Sequence, residues 1–139
     1  MTSGNALSKQ ALSETTAHAI EAVRSELVEV ALDIHAHPEL NYQEEHAVRL
    51  LSGTLEKHGF QVERGVGGVE TAFTATLPGG AGDGPTVAVL AEYDALPDIG
   101  HGCGHNLIAM AAIGAGLGLK ANLDKLPGKV MVIGTPAEE

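Results

Sequence analysis

The 139-residue sequence predicts an α/β fold in which helices pack on a layered sheet. Two segments with apolar residues at helical spacing come first, and four strand-like segments follow, with one more helical segment between the last two. Apolar residues make up 44% of the chain, which is enough for a packed core. Aromatic residues make up only 3%, so that core has to consist mainly of aliphatic side chains.

The first two helices are predicted from their apolar spacing. After a flexible lead-in at residues 1–12, a helix is expected from Ser13 to His37, where Pro38 ends it. Its buried stripe comprises Ile20, Val23, Leu27, Val30, Ala31 and Ile34. A second helix is expected over residues 43–58, and Gly59 suits its C-terminal end. The buried stripe of this second helix comprises Ala47, Leu50, Leu51 and Leu55.

The rest of the chain is predicted to form strands with one crossover helix. The predicted strands are 60–63, 71–77, 86–91 and 129–133. The last two are continuous apolar runs, which are typical of strands buried on both faces. The helix between them, over residues 106–119, is rich in alanine and glycine and can therefore pack closely.

Two polar segments, 92–105 and 135–139, each follow a strand that is expected to be buried. Chemistry in open α/β sheets collects at the carboxyl ends of strands. The first polar segment and the residue after it contain eight groups able to bind metal or move protons: Glu92, Tyr93, Asp94, Asp98, His101, Cys103, His105 and Asn106. Zinc takes thiolate, imidazole and carboxylate ligands, so the spacing of these groups slightly favours a metal site. A buried filler cysteine among polar loop histidines is the alternative.

The adjacent carboxylates of Glu138 and Glu139 end the second polar segment. Neighbouring side chains on a strand-end loop point in different directions. One carboxylate can hold a metal ion while the other accepts a proton from water. An ordinary solvated acidic pair is the alternative.

Several function classes are disfavoured by composition. A net charge of −10 argues against binding to nucleic acid or anionic membranes. No signal peptide and no membrane-length apolar stretch is visible, and one cysteine forms no intramolecular disulfide, so a cytoplasmic setting is expected. The glycine runs at 65–68 and 114–118 do not fit a nucleotide-binding loop. The histidines in the predicted helices are expected to be solvated or, at the end of a helix, to interact favourably with the helix dipole.

Segment 92–106 resembles the dinuclear-zinc aminoacylase, carboxypeptidase and dipeptidase family of metallopeptidases. Within that family it is most similar to the amidohydrolase branch, which includes p-aminobenzoyl-glutamate hydrolase and aminoacylase-like Xaa-Arg dipeptidases. Segments 33–40 and 44–46 resemble the N-terminal helix junction of this branch, and segment 134–139 resembles its catalytic strand end. The motifs occur in the same order as in the family and span nearly the whole chain.

The resemblance implies a role for each matching residue. Cys103 matches a ligand that bridges two metal ions, His105 a terminal ligand, and Glu139 a carboxylate ligand. Glu138 matches the general base that activates water, and Asp94 matches a carboxylate that orients the site.

Three more residues are candidates for orienting the site or contacting substrate: His101, Glu92 and Asn106. Many relatives carry a ligand histidine where this chain has Glu92.

The resemblance also implies a fold and an activity. The fold is a three-layer α/β/α catalytic domain with a mixed sheet. Residues 1–139 are expected to be a truncated N-terminal part of it, without the dimerisation or lid domain and the C-terminal part. The activity is hydrolysis of amide bonds in small N-acyl amino acids, dipeptides or p-aminobenzoyl-glutamate-like substrates. It needs two zinc ions, with manganese or cobalt as alternatives.

Full-length relatives are expected to be homodimers. Residues 1–139 alone are expected to show little or no turnover. The alternative function is that of a non-catalytic remnant that binds metal or a partner.

Overall fold

The computed structural model describes residues 8–139, which form helices packed on a mixed sheet. The helices are α1 (Lys9–Ala22), α2 (Arg24–Ala36), α3 (Glu45–Lys57) and α4 (His105–Lys120). The strands are β1 (Gln61–Arg64), β2 (Phe73–Pro78), β3 (Thr86–Glu92) and β4 (Lys129–Thr135). These elements confirm the predicted α/β class with a mixed sheet.

The N-terminal helical region differs from the prediction in two respects. The side chain of Ser8 caps the backbone N–H of Ala11, so α1 begins at Lys9 and part of the expected lead-in, residues 9–12, is helical. Residues 1–7 of that lead-in lie outside the described part of the chain. The backbone at Val23 leaves the helical region, with φ −109° and ψ 12°, and this divides the predicted single helix into α1 and α2.

The four strands lie in the order β1-β2-β4-β3. The first two neighbouring pairs are antiparallel, whereas β3 and β4 are parallel. Helix α4 is the crossover that joins this parallel pair. Glu92 lies opposite Thr135 in the register, so β3 and β4 end at the same edge of the sheet.

The core lies between one face of the sheet and the helices. Its largest fully buried apolar side chains are Tyr93, Phe73, Ile34, Leu51, Leu55, Ile113 and Val132. The predicted stripes are confirmed, because each predicted residue is either buried or packed against the core. Gly134 allows the ring of Phe73 to lie across β4, since a Cβ at Gly134 would be 2.2 Å from that ring.

Strand β3 is less buried than its apolar sequence predicts. Val87 is 52% exposed and Leu90 is 54% exposed. The physical reason is that β3 is an edge strand. Leu90 lies on the face opposite Val132, away from the described helices, whereas Val87 lies on the helix-covered face but near the start of this edge strand. No helix within residues 8–139 is long and apolar enough to cross a membrane.

Candidate metal centre

The carboxyl ends of β3 and β4 bring the two polar segments together. The hydroxyl of Thr135 donates to the carbonyl of Ala91 across the parallel pair, at 3.1 Å. The loop that follows β3 therefore runs beside residues 136–139. The Glu139 carboxylate raises the pKa of the exposed Cys103 thiol, so the predicted sulfur lies close enough to this terminal carboxylate to interact with it.

The imidazole of His105 lies at the centre of this pocket. Its side chain is 4% exposed, and it is the first residue of α4. Its Nε2 is 3.4 Å from Glu92 Oε2, 3.4 Å from Glu138 Oε2 and 3.6 Å from Glu139 Oε1. These separations are long for hydrogen bonds. They are close to the roughly 3.3 Å between ligands of one tetrahedral ion with bonds of about 2.0–2.1 Å.

The carboxylate of Asp94 fixes the orientation of His105. Nδ1 of His105 lies 2.9 Å from the Asp94 carbonyl and 3.0 Å from Asp94 Oδ1. Both partners are acceptors, so Nδ1 carries a proton and Nε2 is the ring nitrogen that faces the acidic side chains. The other oxygen of Asp94 accepts from the backbone N–H of Glu139 at 3.1 Å. One buried carboxylate thus orients both the imidazole and the chain that carries the acidic pair.

Tyr93 holds Asp94 in this position. Its buried ring stacks on Phe73 with a centroid separation of 6.2 Å, and its hydroxyl donates to the carbonyl of Thr71. Burial raises the pKa of the Tyr93 hydroxyl far above its usual range. Tyr93 therefore acts here as a neutral anchor and not as an acid or a base.

The pocket carries a concentration of negative charge. The interaction with Glu139 raises the pKa of the Cys103 thiol, and desolvation and the charges of Glu138 and Asp94 raise it further. These carboxylates favour the neutral thiol over the thiolate, whereas a divalent cation in the same pocket would reverse that preference. The N-terminus of α4, at His105, contributes a partial positive charge that offsets some of the repulsion.

Glu44 is a site residue that the sequence analysis did not identify. It is fully buried, and its Oε1 accepts from the backbone N–H of Ala137 at 2.9 Å. Ala137 has a positive φ of 55°, an unusual conformation for a non-glycine residue. The side chain of Asn41 also donates to the Glu139 carbonyl, at 3.3 Å. The only signal in the sequence was the position of Glu44 within the segments that carry the family resemblance.

The three remaining candidates have different surroundings. Glu92 faces His105 and, with His105 and Glu138, offers ligand atoms that all lie within 4.8 Å of one another. Asn106 is buried and donates to the Ala31 carbonyl at 3.1 Å, so its amide anchors α4 on α2 and does not face the pocket. Neither ring nitrogen of His101 has a hydrogen-bond partner among the described residues. Desolvation and then the nearby His35 imidazole lower the pKa of His101.

The donor set fits a divalent metal ion. Two strand ends bring the His105 imidazole together with the carboxylates of Glu92, Glu138 and Glu139. The exposed Cys103 thiol lies close enough to Glu139 for that carboxylate to raise its pKa. A carboxylate behind the imidazole is the usual support of a metal-binding histidine. Like-charged carboxylates around one point also need a cation to offset their repulsion.

Comparison with known proteins agrees with this chemistry. No protein-family profile matches the chain. It is 36% identical over 140 residues to one of the subunits of p-aminobenzoyl-glutamate hydrolase from Escherichia coli, and the match covers 87% of this chain and 28% of that protein. It is 40% identical over 139 residues to the Xaa-Arg dipeptidase of Mus musculus, and the match covers 92% of this chain and 32% of that protein.

The fold is also found in a solved structure. The YXEP protein of Bacillus subtilis, described as a dinuclear metal-binding peptidase from the M20 family, matches with a TM-score of 0.77 and 30% identity. That match covers 85% of this chain and 36% of the solved chain. The chain thus spans about a third of the length of each of these proteins. On the combined evidence of these matches and the pocket geometry, the chain belongs to the aminoacylase, carboxypeptidase and dipeptidase family of dinuclear metallopeptidases, the M20 family.

Proposed function

We propose that this chain supplies one side of a divalent-metal centre that hydrolyses amide bonds in small substrates. The observation that carries the proposal is the arrangement around His105, whose Nε2 has three carboxylate oxygens within 3.6 Å. Solvated acidic residues would spread apart under their mutual repulsion. Their convergence on one imidazole nitrogen is the arrangement that a bound cation requires.

The proposed ligands are Cys103, His105 and Glu139, with Glu92 as a further candidate because its carboxylate faces the same nitrogen. Zinc is the proposed ion, since it accepts thiolate, imidazole and carboxylate ligands together. Manganese and cobalt are the alternatives for a site with this many carboxylates. Asp94 serves as the positioning residue that fixes the tautomer of His105.

The proposed mechanism uses activated water. When bound, the metal ions supply polarisation of the amide carbonyl and a lower pKa for the attacking water. Glu138 accepts the proton of that water and then delivers it to the leaving amine nitrogen. Its side chain is 51% exposed, against 24% for Glu139, so Glu138 is the carboxylate more accessible to water and substrate. No covalent intermediate with the protein is needed.

The proposed substrates are small N-acyl amino acids, dipeptides and p-aminobenzoyl-glutamate-like amides. Two relatives, a p-aminobenzoyl-glutamate hydrolase subunit and an Xaa-Arg dipeptidase, support this substrate class. Both names describe substrates in which an acyl group is joined to an amino acid by an amide bond.

Cobalt binding tests the metal centre. Cys103 is the only cysteine of the chain, so a thiolate-to-cobalt charge-transfer absorption band reports this site alone. We expect the band on titration with cobalt chloride, its loss in Cys103→Ser, and a weaker affinity in His105→Ala. Absence of the band in the native sequence would contradict the proposed ligand set.

A hydrolysis assay tests whether Glu138 is the general base. Glu138→Gln keeps the shape of the side chain and removes its ability to accept a proton. We expect the cobalt band to persist while the low hydrolysis of p-aminobenzoyl-glutamate or an Xaa-Arg dipeptide that is expected of residues 1–139 falls below detection, because loss of a general base lowers the rate by about 10²–10⁴-fold. The matched control is Glu45→Gln, at an exposed glutamate of α3, which should leave both readouts unchanged. Undiminished hydrolysis in Glu138→Gln would exclude Glu138 as the base.

A further inference from the structure

A second group of metal-binding side chains lies at the junction of α2 and α3. Asp33 is in the last turn of α2, His37 follows the end of that helix, and His46 is in the first turn of α3. One ligand atom from each of the three lies within 4.8 Å of the other two. This group, which we call the junction cluster, shares no residue with the pocket around His105.

The junction cluster is held together by hydrogen bonds that are somewhat shorter than the spacing of ligands around one ion. Asp33 Oδ1 is 2.8 Å from His37 Nδ1 and 2.9 Å from His46 Nε2, and the two imidazole centroids are 4.5 Å apart. Ligands of a tetrahedral zinc ion with bonds of about 2.0–2.1 Å lie roughly 3.3 Å apart. For an ion to bind, the carboxylate has to move from each imidazole by about half an ångström, and the ring nitrogens that face Asp33 have to give up the protons that they donate to it. The competing contact is the Asp33 carbonyl, 2.9 Å from His37 Nδ1, which an ion would have to displace.

The cluster is held in place before any ion arrives. The carboxylate of Glu39 accepts the backbone N–H groups of His46 and Ala47, at 2.8 and 2.9 Å, which fixes the start of α3. The side chains of Asp33, His37 and His46 are 38%, 59% and 33% exposed, so water can complete a coordination shell. The expectation that His46 is simply solvated is therefore wrong, because its ring is half-buried and bonded to Asp33.

We propose that Asp33, His37 and His46 form a second divalent metal site, separate from the centre at His105. Two imidazoles with one carboxylate are the donors of many zinc sites and suit first-row transition ions better than magnesium or calcium. A bound ion would tie the end of α2 to the start of α3. The loop between these helices carries Glu44, which positions the backbone at Ala137. This inference does not depend on the proposed hydrolase activity.

Zinc titration in a background without the first centre tests the proposal. Cys103→Ser with His105→Ala removes the thiol and the central imidazole of the first site. We expect calorimetric titration of this variant with zinc chloride to retain one zinc ion per chain. Adding His37→Ala should weaken that binding by at least about tenfold, because loss of even an outer-shell partner costs 10–100-fold. The matched control is His18→Ala, at an exposed histidine of α1.

A second measurement uses the native sequence and does not depend on variants folding. Histidine side-chain NMR during zinc titration should shift the ring signals of His37 and His46 and leave those of His18 unchanged. Unshifted His37 and His46 signals at saturating zinc would overturn the proposal. Equal zinc affinity with and without His37→Ala would overturn it as well. The cobalt–thiolate band of the first centre reports separately, so failure of one site is distinguishable from failure of the other.

Discussion

Replacing Asp94 with asparagine is the most direct test of how this pocket is organised. Asp94 is 1% exposed, and its carboxylate accepts from His105 Nδ1 at 3.0 Å and from the Glu139 backbone N–H at 3.1 Å. Asparagine has nearly the same shape but carries no charge and has only one acceptor oxygen. At least one of the two contacts is therefore lost, and the imidazole loses the charge that favours its Nδ1–H tautomer.

The size of the effect follows from these contacts. Loss of a partner behind a metal-binding histidine lowers metal affinity by about 10–100-fold. That range corresponds to about 1.4–2.8 kcal/mol of binding free energy. It is close to the roughly 1.5–3 kcal/mol of one buried hydrogen bond to a charged group. We therefore expect the cobalt dissociation constant of Asp94→Asn to rise by one to two orders of magnitude.

The assay is a cobalt titration monitored through the thiolate absorption band. The affinity for zinc, the ion that binds more tightly, is measured by competition with cobalt. Asp98→Asn is the matched control, because it makes the same chemical change in the same loop at an exposed residue. Asp98 has a φ of 63°, a conformation that asparagine also tolerates. We expect the Asp98→Asn variant to bind cobalt with the affinity of the native sequence. An Asp94→Asn variant that is folded and binds cobalt with native affinity would refute the argument that this carboxylate organises the site.

Two further predictions concern stability. Gly134→Ala should lower the free energy of unfolding by about 1–3 kcal/mol, because the added Cβ would meet the Phe73 ring. Denaturant titration measures this free energy. The control Gly53→Ala, on α3 with open space around its Cβ, should not destabilise the protein. Glu26 accepts from Lys57, the last residue of α3, and from His58, which follows that helix, and these contacts lower the pKa of Glu26 below the ordinary 4.5. Its stabilising contribution is therefore present above pH 4.5 and disappears as the pH falls through the lowered pKa. Glu26→Gln should lower the free energy of unfolding by about 1 kcal/mol or less at pH 7 and by nothing in strong acid. The control Glu29→Gln, exposed on the same helix, should leave the free energy of unfolding at pH 7 unchanged.

The sequence alone determined the local elements of this protein. Apolar spacing predicted α3 and both apolar strands of the parallel pair within a few residues, because the period of side-chain burial is a local property of helices and strands. The same spacing did not reveal the break at Val23, where the residue types differ little from those of a continuous helix. It also overestimated the burial of β3, since an apolar sequence does not state whether a strand lies at an edge.

Only the tertiary structure decided which polar groups meet. The convergence of Cys103 with Glu139 could be anticipated, because both follow strands of one sheet and the family resemblance matched both. Three other directions depend on pairings between residues far apart in the sequence. Glu92 faces His105, Asn106 turns away to α2, and Glu44 reaches Ala137. Strand register and helix packing fix those directions together, and no local pattern of residues carries that information.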